Sequence, residues 1–226
     1  MKGKLIVIEG TDCSGKETQC KRLIERLKND NIKVFEMPFP RYDTPTGKII
    51  GGPLLGKPSI SKSYFQNPSE VDSKVASLYY AADRYYNINP IKENLENGIT
   101  VILDRYVESN IAFQGGKIED DEARKEMYEF IERLEYDLLN LPKPDSVVFL
   151  HMPYEHACIL KSKRNEQADE VEKDENYLRR GEKAYIELAK MNNWITIPCV
   201  KDNTKRTIED INDEIYEIVK ELITNE

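Results

Sequence analysis

The 226-residue sequence predicts an α/β fold: a parallel, five-stranded sheet covered by helices. Three observations predict it. Short apolar runs with strand character alternate with helical periodicities, a glycine-rich turn carrying a lysine joins the first run to the first helix, and chemically loaded side chains fall at strand ends.

Leu5 to Glu9 is a run of strand formers that breaks at Gly10, and Lys16 to Asn29 then carries a helical period. The turn between them reads Gly10-Thr11-Asp12-Cys13-Ser14-Gly15-Lys16, the G-x-x-x-x-G-K pattern. Glycines there let backbone N–H groups converge on a polyphosphate, the lysine adds a mobile charge, and the helix start contributes its dipole. The next position in such a loop supplies a metal-binding hydroxyl, but here it is Glu17, with Thr18 one residue late. Asp12 inside the loop is an expensive place for an anion, so it is expected to hold Mg²⁺ or to accept from a hydroxyl of a second substrate.

Lys33 to Met37 is strand-like, followed by a proline- and glycine-rich stretch through Lys57 that reads as a loop. Glu70 to Tyr86 is a helix candidate with Val71, Val75, Leu78, Ala82 and Tyr85 on one stripe, stopping near Asn87 to Pro90. Further strands are expected at Thr100 to Leu103, Ser146 to Leu150 and Trp194 to Ile197, and further helices at Ile118 to Asn140, Asp174 to Met191 and Thr207 to Ile223. Lys161 to Glu175 is the most charged stretch and reads as a mobile segment. Ligands of a parallel sheet lie beyond the carboxyl ends of its strands, where Gly10, Phe39 to Arg41 and Asp104 to Tyr106 all fall.

The formal charge of -8 argues against a nucleic-acid groove, and no apolar run approaches the ~20 residues of a membrane span. The start of the chain lacks the apolar region of a signal peptide, so one cytoplasmic domain is expected. Four cysteines without a C-x-x-C pair read as reduced thiols, with Cys13 in the phosphate loop the most reactive candidate.

Asp104-Arg105 puts a potential Mg²⁺ ligand beside a guanidinium fork suited to phosphate. Arg41, stiffened by Pro38 and Pro40, reads either as a second phosphate ligand or as a solvated loop charge. Tyr80 and Arg84 share a helix face, where a ring can stack on a base and an arginine can bond its carbonyl edge; tyrosines at that spacing equally fit a core. The amide of Asn110 can read a base edge, and a helix cap fits it as well.

Glu9 to Gln19, Phe39-Pro40-Arg41, Leu78 to Arg84 and above all Asp104 to Gly116 (DRYVESNIAFQGG) resemble the signature segments of thymidylate kinases. The resemblance extends to Asp169 to Glu172, Tyr177 to Arg180 and Tyr185 to Ala189, similar to that family's lid and the helix after it. It implies a P-loop NTPase fold with a short helical lid over about 161–175, a homodimer, and ATP- and Mg²⁺-dependent phosphorylation of dTMP to dTDP. By this resemblance ATP meets residues 10–18, with Lys161, Lys163 or Arg164 as lid cations replacing an arginine that some members carry at the Cys13 position. The dTMP site takes Asp12, Phe39, Arg41, Tyr80, Arg84, Arg105, Asn110, Phe113, Gln114 and Glu172, with Asp169 as a further candidate. Lys16, Arg105, Asp12 and Arg41 carry catalysis, and Asp12 with Asp104 holds the metal. Phe113 stands where the family often has tyrosine, keeping the bulk that crowds a ribose 2′ position. The rival readings are a kinase of another monophosphate or of a deoxynucleoside, and a nucleotide-binding module impaired by Glu17.

Overall fold

The computed structural model describes residues 2–161 and 168–224. Its helices are α1 (Lys16–Asn29), α2 (Pro45–Ile49), α3 (Ser73–Tyr86), α4 (Ile88–Glu96), α5 (Val107–Gly115), α6 (Asp121–Glu132), α7 (Tyr154–Lys161), α8 (Glu175–Met191) and α9 (Ile208–Thr224). Strand β1 (Leu5–Gly10) lies at the centre of an all-parallel sheet with β2 (Val34–Pro38), β3 (Thr100–Asp104), β4 (Ser146–His151) and β5 (Ile195–Pro198), in the order β2-β3-β1-β4-β5.

Side chains alternate across each strand, and the register aligns them into two apolar layers. Leu5, Val7, Val101, Leu103, Val147 and Phe149 enter the layer under α4, α5, α6 and α8, while Ile6, Ile8, Ile102, Val148 and Leu150 enter the one under α1, α7 and α9. Burial on both faces is why β1 reads as an unbroken apolar run rather than an alternating one. Each of its aliphatic residues is essentially inaccessible, worth about 1.5–3 kcal/mol apiece relative to exposure.

The expected strands and long helices are present, most ends shifted by a residue or two, while α3 and α6 start three residues later than expected. Three helices begin on aspartate caps: Asp72 accepts from Lys74 N and Val75 N, Asp120 from Ala123 N, and Asp174 from Tyr177 N. Elsewhere the pattern misled. The expected loop before Lys57 contains α2, capped by Thr44 with Pro45 in its first turn, and a π-helical turn over Ile50–Leu54. Asn87 to Pro90 ends α3 but also starts α4, because a proline in a first turn lacks only an N–H that would have no helical partner. The helix expected through Asn140 ends at Glu132 and continues as a π-helical turn, Arg133–Leu138. Helix α7 and the hairpin of β6 (Val200–Lys201) with β7 (Thr204–Lys205) were not foreseen.

On α3 the apolar stripe is not the buried one. Val75, Leu78 and Tyr85 are 42%, 51% and 53% exposed, whereas Ala76, Ser77, Ala81, Asp83 and Arg84 face inward. Small and polar residues face inward there because α3 abuts α5 and the wall of a polar cavity rather than the sheet core. No helix among the described residues is long and apolar enough to cross a membrane.

Candidate active site

The carboxyl ends of β1, β2 and β3 open into one cavity of about 710 Å³. Asp12, Cys13, Gly15, Lys16, Glu17 and Thr18 line one end, and Tyr80, Arg84, Asn110, Phe113 and Gln114 the other. Phe39, Arg41, Asp104 and Arg105 stand between them, and Asp169 and Glu172 lie on the rim. Sequence-distant candidates are thus brought to one place. Gly10, Thr11 and Ser14 lie behind this surface, Lys161 lines a smaller adjoining cavity, and Lys163 and Arg164 lie outside the described residues.

The glycine loop is shaped by close packing. A Cβ on Gly10 would meet Ser14 Oγ at 2.6 Å and Leu150 O at 2.9 Å, and Gly15 caps α1 at φ 80°, a conformation that side chains disfavour. Thr11 faces away from the cavity: its hydroxyl donates to Met152 O (2.7 Å) and accepts from Met152 N (2.9 Å), pinning the loop to the end of β4. Ser14 Oγ is buried without a partner. Lys16 Nζ donates to Gly10 O (3.0 Å) and Thr11 O (3.3 Å). Burial, with help from Arg105, lowers its pKa to about 8 against the opposing pull of Asp104, Asp12 and Glu9. An ammonium so placed gains by receiving an anion. Glu17 does not face the loop, since its carboxylate accepts from Lys21 Nζ (2.6 Å) on the exposed side of α1.

Arg105 is held from every side. Its backbone adopts φ 66° while its N–H donates to Ile8 O (3.1 Å). Nη1 donates to Ser109 Oγ (3.1 Å) and Tyr185 Oη (3.0 Å), and Nη2 lies 3.5 Å from Asp12. Beneath it is Glu9, a carboxylate with no solvent exposure that accepts from the N–H groups of Tyr106 and Ser109 (3.0 Å each) and from the Ser109 and Tyr185 hydroxyls (2.7 and 2.8 Å). The two hydroxyls lie 2.8 Å from each other and both within reach of Glu9, an acceptor, while their lone pairs accept from Arg105. The same carboxylate caps α5 at its positive end. A charge at the end of the apolar LIVIE run was the available signal for Glu9, and sequence reasoning passed over it.

Arg41 sits on the cavity wall, its fork spent on Asp43 (Nε 3.0 Å, Nη2 2.8 Å). Its backbone N–H donates to buried Asp83 (2.8 Å), which also accepts from Thr46 Oγ1 (2.7 Å) and Asn87 Nδ2 (3.0 Å). The Phe39–Pro40 peptide is cis, and Tyr42, absent from the sequence-derived candidates, lines the cavity beside them. Arg84 is buried; its Nε and Nη2 pair with Glu135 and Nη1 donates to Tyr106 O (3.2 Å). Phe113 stacks on Tyr177 (5.5 Å, 8°) and meets Tyr185 edge-on; Gly181 of α8 makes room, since a Cβ there would sit 2.9 Å from the Phe113 ring.

On the rim, Asp169 and Glu172 each accept from the other's backbone N–H (3.0 and 3.2 Å), and burial raises the Asp169 pKa to about 6. Lys161 Nζ donates to Glu172 O. Among the described residues no three His, Cys, Asp or Glu side chains gather around a metal position. Two carboxylates line the phosphate end, those of Asp12 and Asp104, and carry hard oxygen donors of the kind Mg²⁺ accepts when phosphates complete its shell.

The thymidylate kinase family model matches residues 8–215. The chain belongs to the thymidylate kinase family. Thymidylate kinase of Plasmodium falciparum is 31% identical over 97% of this chain and 91% of its own length, and that of Schizosaccharomyces pombe 29% over 100% and 95%. The solved thymidylate kinase of Candida albicans superposes with TM-score 0.72 at 27% identity, covering 97% of this chain and 92% of its own. Thymidylate kinases are P-loop phosphotransferases that use ATP with Mg²⁺.

Proposed function

We propose that this chain phosphorylates dTMP to dTDP with ATP, and that the cavity holds both nucleotides end to end. The observation that carries this reading is the single polar trough that joins a glycine-lysine phosphate loop to an aromatic and arginine-lined pocket, with Arg105 between them. Residues 10–18 would wrap the ATP phosphates, Tyr80 would stack on thymine, and Arg84 and Asn110 would meet its polar edge. Phe113, braced by Tyr177, would crowd a ribose 2′-hydroxyl, while Gln114 and Glu172 complete the acceptor side. Asp12 and Asp104 would hold Mg²⁺, which neutralises phosphate charge when bound.

Transfer is in line: an oxygen of the dTMP phosphate bonds to the γ-phosphorus of ATP as the bond to the β,γ-bridging oxygen breaks. The attacking phosphate needs no strong base, so the protein positions and neutralises. Lys16 and Arg105 carry the positive charge closest to the transfer. Arg41 would exchange the Asp43 carboxylate for the acceptor phosphate, which presents the same planar pair of oxygens to its fork. Lys161 and Arg164 are the lid cations in this reading.

The exposed stripe of α3 is the candidate homodimer interface, since Val75, Leu78, Tyr85 and Tyr86 on this one helix are each 42–59% exposed. A cytoplasmic location fits the substrates. A coupled assay with ATP and Mg²⁺ across dTMP, dUMP, dCMP, dGMP and thymidine tests the function. The expected result is preference for dTMP with loss of transfer in Lys16→Ala while dTMP still binds. Preference for thymidine, or ATP binding with no dTDP formed, would overturn it.

A further inference from the structure

At the acceptor-base end, one residue that does not line the cavity governs two that do. Glu135 has no solvent exposure and is carried on the π-helical turn Arg133–Leu138. Its two oxygens pair with Arg84, and Oε1 also accepts from Asn110 Nδ2 at 2.8 Å. The same Nδ2 donates to Ser77 O at 3.2 Å. A carboxylate paired with a guanidinium and a backbone carbonyl are both acceptors only. The Asn110 amide therefore has one orientation: turned over, it would set its oxygen against two acceptors. Its Oδ1 is left buried without a partner, and so is Oε1 of Gln114, one turn along α5. Arg84 spends three of its five N–H donors on Glu135 and Tyr106 O, which leaves two.

We propose that Glu135 is the specificity-determining positioning residue of the acceptor-base pocket: by holding the amide nitrogen of Asn110 and the guanidinium of Arg84, it leaves an acceptor oxygen beside surplus donors. That pattern fits the imide edge of a 2,4-dioxopyrimidine such as thymine, whose N3–H donates and whose neighbouring carbonyl accepts. It opposes cytosine, whose N3 accepts and whose 4-amino group donates. The discrimination comes from acceptors and donors that a cytosine edge would leave unpaired. This inference rests on the thymidylate reading of the cavity.

Calorimetric binding of dTMP and of 5-methyl-dCMP, which differ only along that edge, tests it in the full chain. Wild-type protein is expected to prefer dTMP by at least about 100-fold, the scale of a mispaired buried edge. In Glu135→Gln the new amide can donate to Asn110 Oδ1, so of the two acceptors that fix the Asn110 amide only Ser77 O remains and the turned-over orientation becomes accessible. The preference should then shrink about tenfold or more through loss of dTMP affinity, with ATP affinity unchanged. Should that variant fail to fold, Glu135→Asp keeps the charge beside Arg84 but withdraws from Asn110, and the preference should shrink in the same direction. The N3 imino proton of ¹⁵N-labelled dTMP bound to wild-type protein gives a third readout and should be protected from exchange. Folded variants that keep the wild-type preference, or an imino proton that exchanges freely, would overturn the role of Glu135 and leave the function standing. Wild-type protein that binds neither nucleotide, or prefers 5-methyl-dCMP, would overturn the thymidylate reading itself.

Discussion

Glu108 offers a quantitative test of how this fold buries charge under its site. Its side chain lies on α5; Oε1 accepts from Tyr136 Oη (2.6 Å) and Oε2 is buried without a partner. Burial raises its pKa from 4.5 to about 7, opposed by the Tyr136 hydrogen bond and reinforced by the negative charge of Glu9. The folded pKa lies above the unfolded one, so the folded state binds the extra proton and stability falls as pH rises from 4.5 through 7. Between pH 5 and pH 9 the cost of ionising this group in the folded protein grows by about 2.5 kcal/mol. Glu108→Gln removes that term and keeps the Tyr136 bond, while its surplus amide protons add a penalty that is the same at every pH. The stability of the variant relative to wild type should therefore improve by about 2.5 kcal/mol from pH 5 to pH 9, which is a relative gain in Tm of about 5–10 °C for a chain of this length. Paired thermal melts at the two pH values measure it, with all other titrating groups cancelling in the difference. A mutational effect that does not change with pH would refute the reasoning.

Three further outcomes are expected. Tyr185→Phe keeps the ring stack on Phe149 (5.3 Å, 7°) but removes one acceptor from Arg105 and one donor to Glu9; steady-state assays should show dTMP turnover reduced about tenfold or more with ATP affinity unchanged, and unaltered kinetics would remove Tyr185 from the chain that orients Arg105. Because the Lys16 pKa is lowered to about 8, the free protein loses this charge above pH 8, so ATP affinity should fall by about tenfold per pH unit beyond it; affinity that holds level to pH 10 would contradict the placement of Lys16. Leu78→Asp puts a charge on the exposed stripe of α3; light scattering should report monomer where wild type is dimeric, and a wild type that is itself monomeric would remove the stripe as an interface.

The β/α alternation was legible because strands buried on both faces read as plain apolar runs and helices with one buried face read as a 3.6-residue period. The phosphate loop was legible for a related reason: Gly10, Gly15 and Lys16 act through local backbone geometry, which sequence spacing encodes. The α3 stripe was the place where local pattern pointed the wrong way. A period identifies an apolar face but not what covers it, and here the helix turns its small and polar face to the cavity.

What the chain's order of residues determined by itself is therefore the sheet, the loop and the identity of the candidate chemical groups. What only the tertiary structure decided is how those groups are oriented. Glu9 and Tyr185 lie 176 positions apart and Arg84 and Glu135 lie 51 apart, so no spacing reveals that the first pair steadies Arg105 or that Glu135 fixes the Asn110 amide. The physical reason is that a buried polar atom is defined by the partners that satisfy it, and those partners arrive only when distant segments of the chain close on one another.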